Sequence, residues 1–151
     1  MNDSLKSVWI STGKNKSFCV THRVRYSDTD KMDMVYHGAY VPMLEAARVE
    51  TLREIGWVYS EMEKTGLLLP VVDLRLKYKM PARYDQILRI ESHVLQCPTS
   101  RITFVFKITH NQDVLVEAEV TLAFVDSTTG RPHRAPDRLC EDLVKYGLIH
   151  S

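Results

Sequence analysis

Residues 39–56 read AYVPMLEAARVETLREIG, and this stretch decides the architecture. At about 100° per residue, Tyr40, Val41, Met43, Leu44, Ala47, Leu52 and Ile55 share one broad side of a helix over residues 39–55. Pro42 fits only in the first helical turn, where a missing N–H costs nothing, and Gly56 closes the segment. So wide an apolar side suits a helix buried against a sheet rather than one lying on a sheet's edge.

The surrounding sequence supplies that sheet. Upstream, residues 17–26 alternate with period two, which indicates a half-buried strand. Downstream, residues 59–64 read as a short helical turn. Four strand-like segments follow, over residues 67–80 (interrupted by Pro70), 86–96, 101–110 and 114–126. The breaks at 97–100 and 111–113 are short enough for antiparallel hairpins. A short helix is expected over residues 136–146. The fold class is therefore α+β: one curved, antiparallel five-stranded sheet wrapped round a central helix, in a single domain over residues 17–147. Residues 1–16 show no periodic pattern and read as a flexible leader, with local packing only at residues 8–10. A single layer leaves one side of the helix uncovered and the sheet with open edges, and a dimer that continues the sheet would remedy both.

Composition narrows the function. A chain of 151 residues is about one domain, and 44% apolar with 26% charged residues is ordinary for a folded protein. With 20 basic and 19 acidic side chains there is no cationic excess to neutralise phosphates, so nucleic acid is not an expected partner. No apolar run approaches the length of a membrane span. The N-terminal residues carry no signal-like pattern, which points to the cytoplasm. Cys19, Cys97 and Cys140 are odd in number and far apart, which favours free thiols in a reducing compartment. The six histidines lack metal-ligand spacing, and Asp28, Asp30 and Asp33 lack the closing glutamate of a calcium loop. No metal or cofactor is implied.

Chemistry concentrates in residues 25–40, RYSDTDKMDMVYHGAY. Asp28 and Asp30 close the first strand, and His37 stands just before the helix. A carboxylate can activate water or attack a carbonyl directly. A helix start presents unpaired N–H groups that could hold the oxygen of a polarised carbonyl. On spacing alone the plainer reading is the commoner one. In it the aspartates cap turns, and His37 is a surface or packing residue.

The motif D-T-D-x-x-x-x-V-Y-H-x-x-Y over residues 28–40, running into M-L-E-A-A-R-V-E, resembles the 4-hydroxybenzoyl-CoA thioesterase family of hotdog-fold proteins. The nearest branch is the acyl-CoA thioesterases associated with the bacterial Tol-Pal system. The resemblance runs from about Ser17 to Leu139, including D-x-x-T-G-R-P-x-R-x-P near its end. It implies hydrolysis of an acyl-CoA to free acid and CoA, with Asp30 as nucleophile or general base. His37 would assist, and its backbone N–H would lie where the thioester oxygen is held. Tyr36 and Tyr40 would shape the acyl pocket, Arg101 would touch the CoA moiety, and Asp28 would support the loop. It also implies a homodimer or homotetramer with the site at a subunit interface. One position departs from the pattern: Asp33 stands where the family has Gly, a residue free to adopt positive φ. The competing functions are a non-catalytic acyl-CoA or acyl-carrier-protein binding module and a hydroxyacyl-thioester dehydratase on the same fold.

Overall fold

The computed structural model describes residues 6–150. The main sheet holds six strands: β1 (Ser7–Thr12), β2 (Asn15–Arg23), β4 (Val71–Tyr78), β5 (Ile87–Val94), β6 (Arg101–His110) and β7 (Asp113–Ala123). Their spatial order is β1-β2-β5-β6-β7-β4, every pairing antiparallel. A separate two-stranded ladder joins β3 (Leu67–Leu68) to β8 (Val125–Asp126). Pro70 separates β3 from β4, so the segment read as one interrupted strand pairs with two different neighbours.

The long helix α1 (Tyr40–Glu54) begins after a 3-10 turn over His37–Ala39, and Pro42 is its third residue. Its buried side is Tyr40, Met43, Leu44, Ala47, Thr51 and Leu52, with Ile55 just beyond. These meet the inward row of the sheet, in which Leu88, Ile90, Ile102, Phe104, Phe106, Ile108, Val116, Val120 and Leu122 are all buried. One fully buried polar contact crosses the interface. Thr51 Oγ1 lies 2.7 Å from Ser92 Oγ, which donates to the Phe18 carbonyl. Both hydroxyls are fully buried and both are satisfied, so the helix gains register on the sheet without an orphaned polar group. The fold is the expected hotdog arrangement. Two short helices, α2 (Tyr59–Lys64) and α3 (Asp137–Lys145), complete it.

Four expectations are corrected. Residues 7–12 and 15–16 are not a flexible leader but strand, with β1 paired to β2 from Ser7 opposite Val20 to Thr12 opposite Asn15; residues 1–5 lie outside the described part. The main sheet has six strands rather than five, for the same reason. Val41, placed on the apolar side from sequence, is 37% exposed, because α1 contacts β2 and β5 and leaves that flank open. Finally, Cys97 and Cys140 are not free thiols. They form a disulfide that ties the β5–β6 connection to α3, and only Cys19 remains free, buried in β2.

Candidate active site

The loop between β2 and α1 folds on Asp30. Asp30 Oδ1 accepts the backbone N–H groups of Met32 at 2.8 Å and Met34 at 3.3 Å, and the Asp30 N–H donates to the Met34 carbonyl at 2.8 Å. Asp30 Oδ2 makes no hydrogen bond among the described residues. The turn between them closes with the Asp33 N–H on the Asp30 carbonyl at 3.1 Å, and Asp33 has φ of 63°. Asp33 thus adopts the left-handed conformation that a glycine would take there, with its own side chain exposed to solvent.

A cleft of about 360 Å³ opens beside this carboxylate, lined by Asp30, Tyr36, His37, Tyr40, Tyr78 and Met80 among others. Its floor is the start of the buried helix. In the 3-10 turn over His37–Ala39, the Ala39 N–H bonds the Tyr36 carbonyl at 3.0 Å, while the N–H groups of His37 and Gly38 precede any acceptor within the turn. No hydrogen bond joins the His37 ring to Asp30 among the described residues; the ring packs against Tyr36 at 6.4 Å between centroids. Tyr40 is 2% exposed and packs on Tyr78 at 5.7 Å. Burial pushes its phenol above the ordinary tyrosine range, so Tyr40 is neutral at any working pH.

Asp28 stands apart from the cleft. Its Oδ2 lies 2.9 Å from His22 Nε2 and accepts the Arg25 N–H at 2.9 Å, which makes it an anchor of the loop. Arg101 is also distant. It stands opposite Ala123 on β7, whereas Tyr78 stands opposite Val116, which is opposite Ile108. Seven strand positions separate the two levels, about 23 Å at the usual rise. The structure therefore gathers Asp30, Tyr36, His37 and Tyr40 at one cleft of the protomer and leaves Arg101 at the far end of the sheet. Arg48, half-buried on α1, has its guanidinium pKa lowered by burial, opposed by the nearby Glu45 carboxylate.

The sequence matches the thioesterase-like superfamily over residues 24–143, a span containing the whole cleft. The chain belongs to that family. Within it, the acyl-CoA thioester hydrolase YbgC of Escherichia coli O6:H1 is 31% identical over 122 residues, covering 80% of this chain and 91% of that protein. YneP of Bacillus subtilis is 44% identical over 63 residues, a match spanning 42% of this chain and 46% of that protein. Among solved structures, the DHNA-CoA thioesterase from Staphylococcus aureus superposes with a TM-score of 0.76 at 28% identity, covering 85% of this chain and 86% of that one. The resemblance read from residues 28–40 is thus to the family that the full sequence matches.

Sequence reasoning missed Tyr78, whose hydroxyl donates to the His37 carbonyl at 2.8 Å and whose ring walls the cleft. Its signal was the alternation Leu74, Leu76, Tyr78, which gives the face a strand residue takes but not the loop that face meets. It also passed over His22, which lies beneath the loop.

Proposed function

We propose that this chain hydrolyses acyl-CoA thioesters to free acid and CoA, with Asp30 as the reacting carboxylate. Family membership and a relationship to an acyl-CoA thioester hydrolase over 80% of this chain make the chain a thioester hydrolase. The observation that carries the residue assignment is the cleft itself. It brings a carboxylate with one oxygen unengaged to the start of a buried helix whose first N–H groups lack acceptors within the turn. A thioester carbonyl seated with its oxygen on the amides at His37 would be polarised as its carbon is attacked. Asp30 either attacks that carbon, expelling the CoA thiolate and leaving a mixed anhydride for water to open, or takes a proton from a water that attacks. Both routes consume one water and release acid and thiol. Tyr36 and Tyr40 border the acyl group, and the neutral, buried Tyr40 adds no charge to an apolar substrate.

The working unit is a homodimer, or a tetramer made of two. Strand β4 is an edge of the sheet, its outer backbone groups are unpaired within it, and Leu74 and Tyr78 on its inward side are 40% and 49% exposed. Val41 on α1 is exposed as well, and a second copy laid along β4 would cover apolar side chains beside the cleft. A CoA contact from Arg101 also calls for a second copy, because within one protomer this arginine is at the wrong end of the sheet. No helix among the described residues is long and apolar enough to cross a membrane, and the proposed site of action is the cytoplasm.

The test is thiol release from short, long and aromatic acyl-CoAs by wild type and Asp30→Asn. Turnover that collapses in the variant while folding and CoA binding persist supports the reading. Equal, negligible release from both proteins across the panel would leave a binding module instead, and an enoyl product without free thiol would indicate the dehydratase.

A further inference from the structure

His22 does not line the cleft, and among the described residues its side chain hydrogen-bonds one residue of the family motif, Asp28. On β2 it stands opposite Leu88 and continues the inward row of Phe18 and Val20, so its ring sits at the end of the core and under the loop. There its Nε2 lies 2.9 Å from Asp28 Oδ2, the side chains being 16% and 18% exposed. A carboxylate only accepts, so Nε2 is the nitrogen that carries the proton in this pair. Asp28 in turn holds the loop at two places. Its Oδ2 takes the Arg25 N–H where the loop leaves the sheet, and its carbonyl takes the Tyr36 N–H at 3.1 Å where the loop re-enters the helix. Asp30 is two residues from Asp28 itself, and His37 is one residue from the second anchor, Tyr36. Between them the Thr29–Val35 bridge zips the two limbs together.

We infer that His22 is a positioning residue for turnover: by hydrogen-bonding Asp28 from the end of β2, it fixes the Asp30 carboxylate relative to the backbone amides at His37. The inference rests on the hydrolase reading above. Nothing else from the sheet's inward face bonds the Asp28 carboxylate among the described residues. The limb that leads into the helix is held separately, by the Val35 N–H on the Ala82 carbonyl at 2.9 Å and by the Met34–Arg83 bridge. Loss of the His22 bond would therefore leave that limb in place and the Asp30 turn folded, but free the limb at Asp28 to shift against it. A displacement of the order of 1 Å at a reacting group can cost about 100-fold in rate.

Two substitutions separate this role from general stability. In His22→Gln the amide nitrogen falls near the place of Nε2 and can still donate to Asp28. In His22→Asn it falls near Nδ1 and cannot reach. The measurements are steady-state thiol release and hydrogen exchange at the Arg25 and Tyr36 amides, the two that bond Asp28. The expected result is a kcat about 10–100-fold lower in His22→Asn, with KM within about threefold of wild type and exchange at these two amides at least about tenfold faster. His22→Gln should recover most of both. A wild-type kcat in His22→Asn, equal impairment in the two variants, or loop amides as protected as in wild type would each overturn the inference. An inactive wild type would sink the hydrolase reading instead, and the exchange comparison would still decide whether His22 holds the loop.

Discussion

The Tyr78 hydroxyl donates to the carbonyl of His37 across 2.8 Å, fastening the edge strand β4 to the turn that begins the buried helix. The bond joins two parts of the cleft that are 41 residues apart in sequence. It also orients the His37–Gly38 peptide, next to the His37 N–H that is the proposed partner of the thioester oxygen.

Tyr78→Phe removes that bond and keeps the ring. A hydrogen bond of this kind contributes about 0.5–1.5 kcal/mol net to folding, so the unfolding free energy should fall by about that amount, and kcat/KM should fall with it as the turn at His37 loosens. Steady-state kinetics beside a melting curve would check it. A variant as active as wild type would mean that the turn at His37 holds without β4.

Asp33 occupies the left-handed region with φ of 63°, a conformation that costs an L-residue of this type up to about 1–2 kcal/mol relative to glycine. Asp33→Gly should therefore leave stability unchanged or raise it by about 1 kcal/mol or less, since the unfolded chain also gains freedom. Asp33→Val should lower it. Chemical denaturation of the three proteins would show the order Gly at or above Asp, and Asp above Val; a reversed order would mean that the turn is not held in this conformation in solution.

The Cys97–Cys140 disulfide spans 43 residues and pins α3 to the β5–β6 connection. Closing a loop of that size typically adds about 2–4 kcal/mol. Reduction, or Cys140→Ser, should lower the unfolding free energy by about that amount while the cleft beside Asp30, with no lining residue in α3, keeps the proposed activity at low temperature. Denaturant titrations with and without reductant would measure it. No shift on reduction would mean the bridge is absent in solution, as the spacing of the cysteines first suggested.

His93 stacks on His150 at 3.7 Å, and burial first, then the neighbouring His150 charge, lower its pKa to about 4. An unfolded imidazole titrates near 6.5, so folding favours the neutral ring. That contribution is fully present above about pH 6.5 and is lost as the pH falls through about 4. The Glu91 and Lys107 side chains face the same groove and do not change with the substitution proposed. His93→Phe keeps a ring against His150 and removes one titrating group. Its urea midpoint should fall less than that of wild type between pH 7 and pH 4.5. Parallel falls would count against a neutral His93.

Much of this architecture is legible locally. The helix expected over 39–55 is Tyr40–Glu54, because it carries its own periodicity and a glycine stop, and the short turn read over 59–64 is the helix Tyr59–Lys64. The missed strand β1 is an edge strand in which only Trp9 and Ile10 are partly covered, so it has too little apolar alternation to betray itself. The disulfide escaped for a different reason: only the folded chain brings the β5–β6 connection to α3. The site divides the same way. Asp30, Tyr36, His37 and Tyr40 fall within one short segment and share a cleft, whereas Tyr78 and His22 reach the same loop from separate strands. Arg101 was drawn to the site by resemblance, and the register moves it away within the protomer.

The position of β4 in the sheet bears on the order in which the molecule forms. Strands β5, β6 and β7 meet through short turns and can zip together from local encounters. Strand β4 must wait for them, since Tyr78 finds Val116, 38 positions onward, only once β7 has been laid down. Loop-closure entropy sets against it a barrier that the hairpins do not face. The last pairing to be made is then the one that carries Tyr78 to His37. Truncating Leu74, in the middle of β4, should speed unfolding and leave the refolding rate nearly unchanged, and a chevron plot in which the folding arm moves instead would place β4 in the nucleus. On this order the cleft beside Asp30 is the final part of the chain to acquire its shape, and the first to lose it.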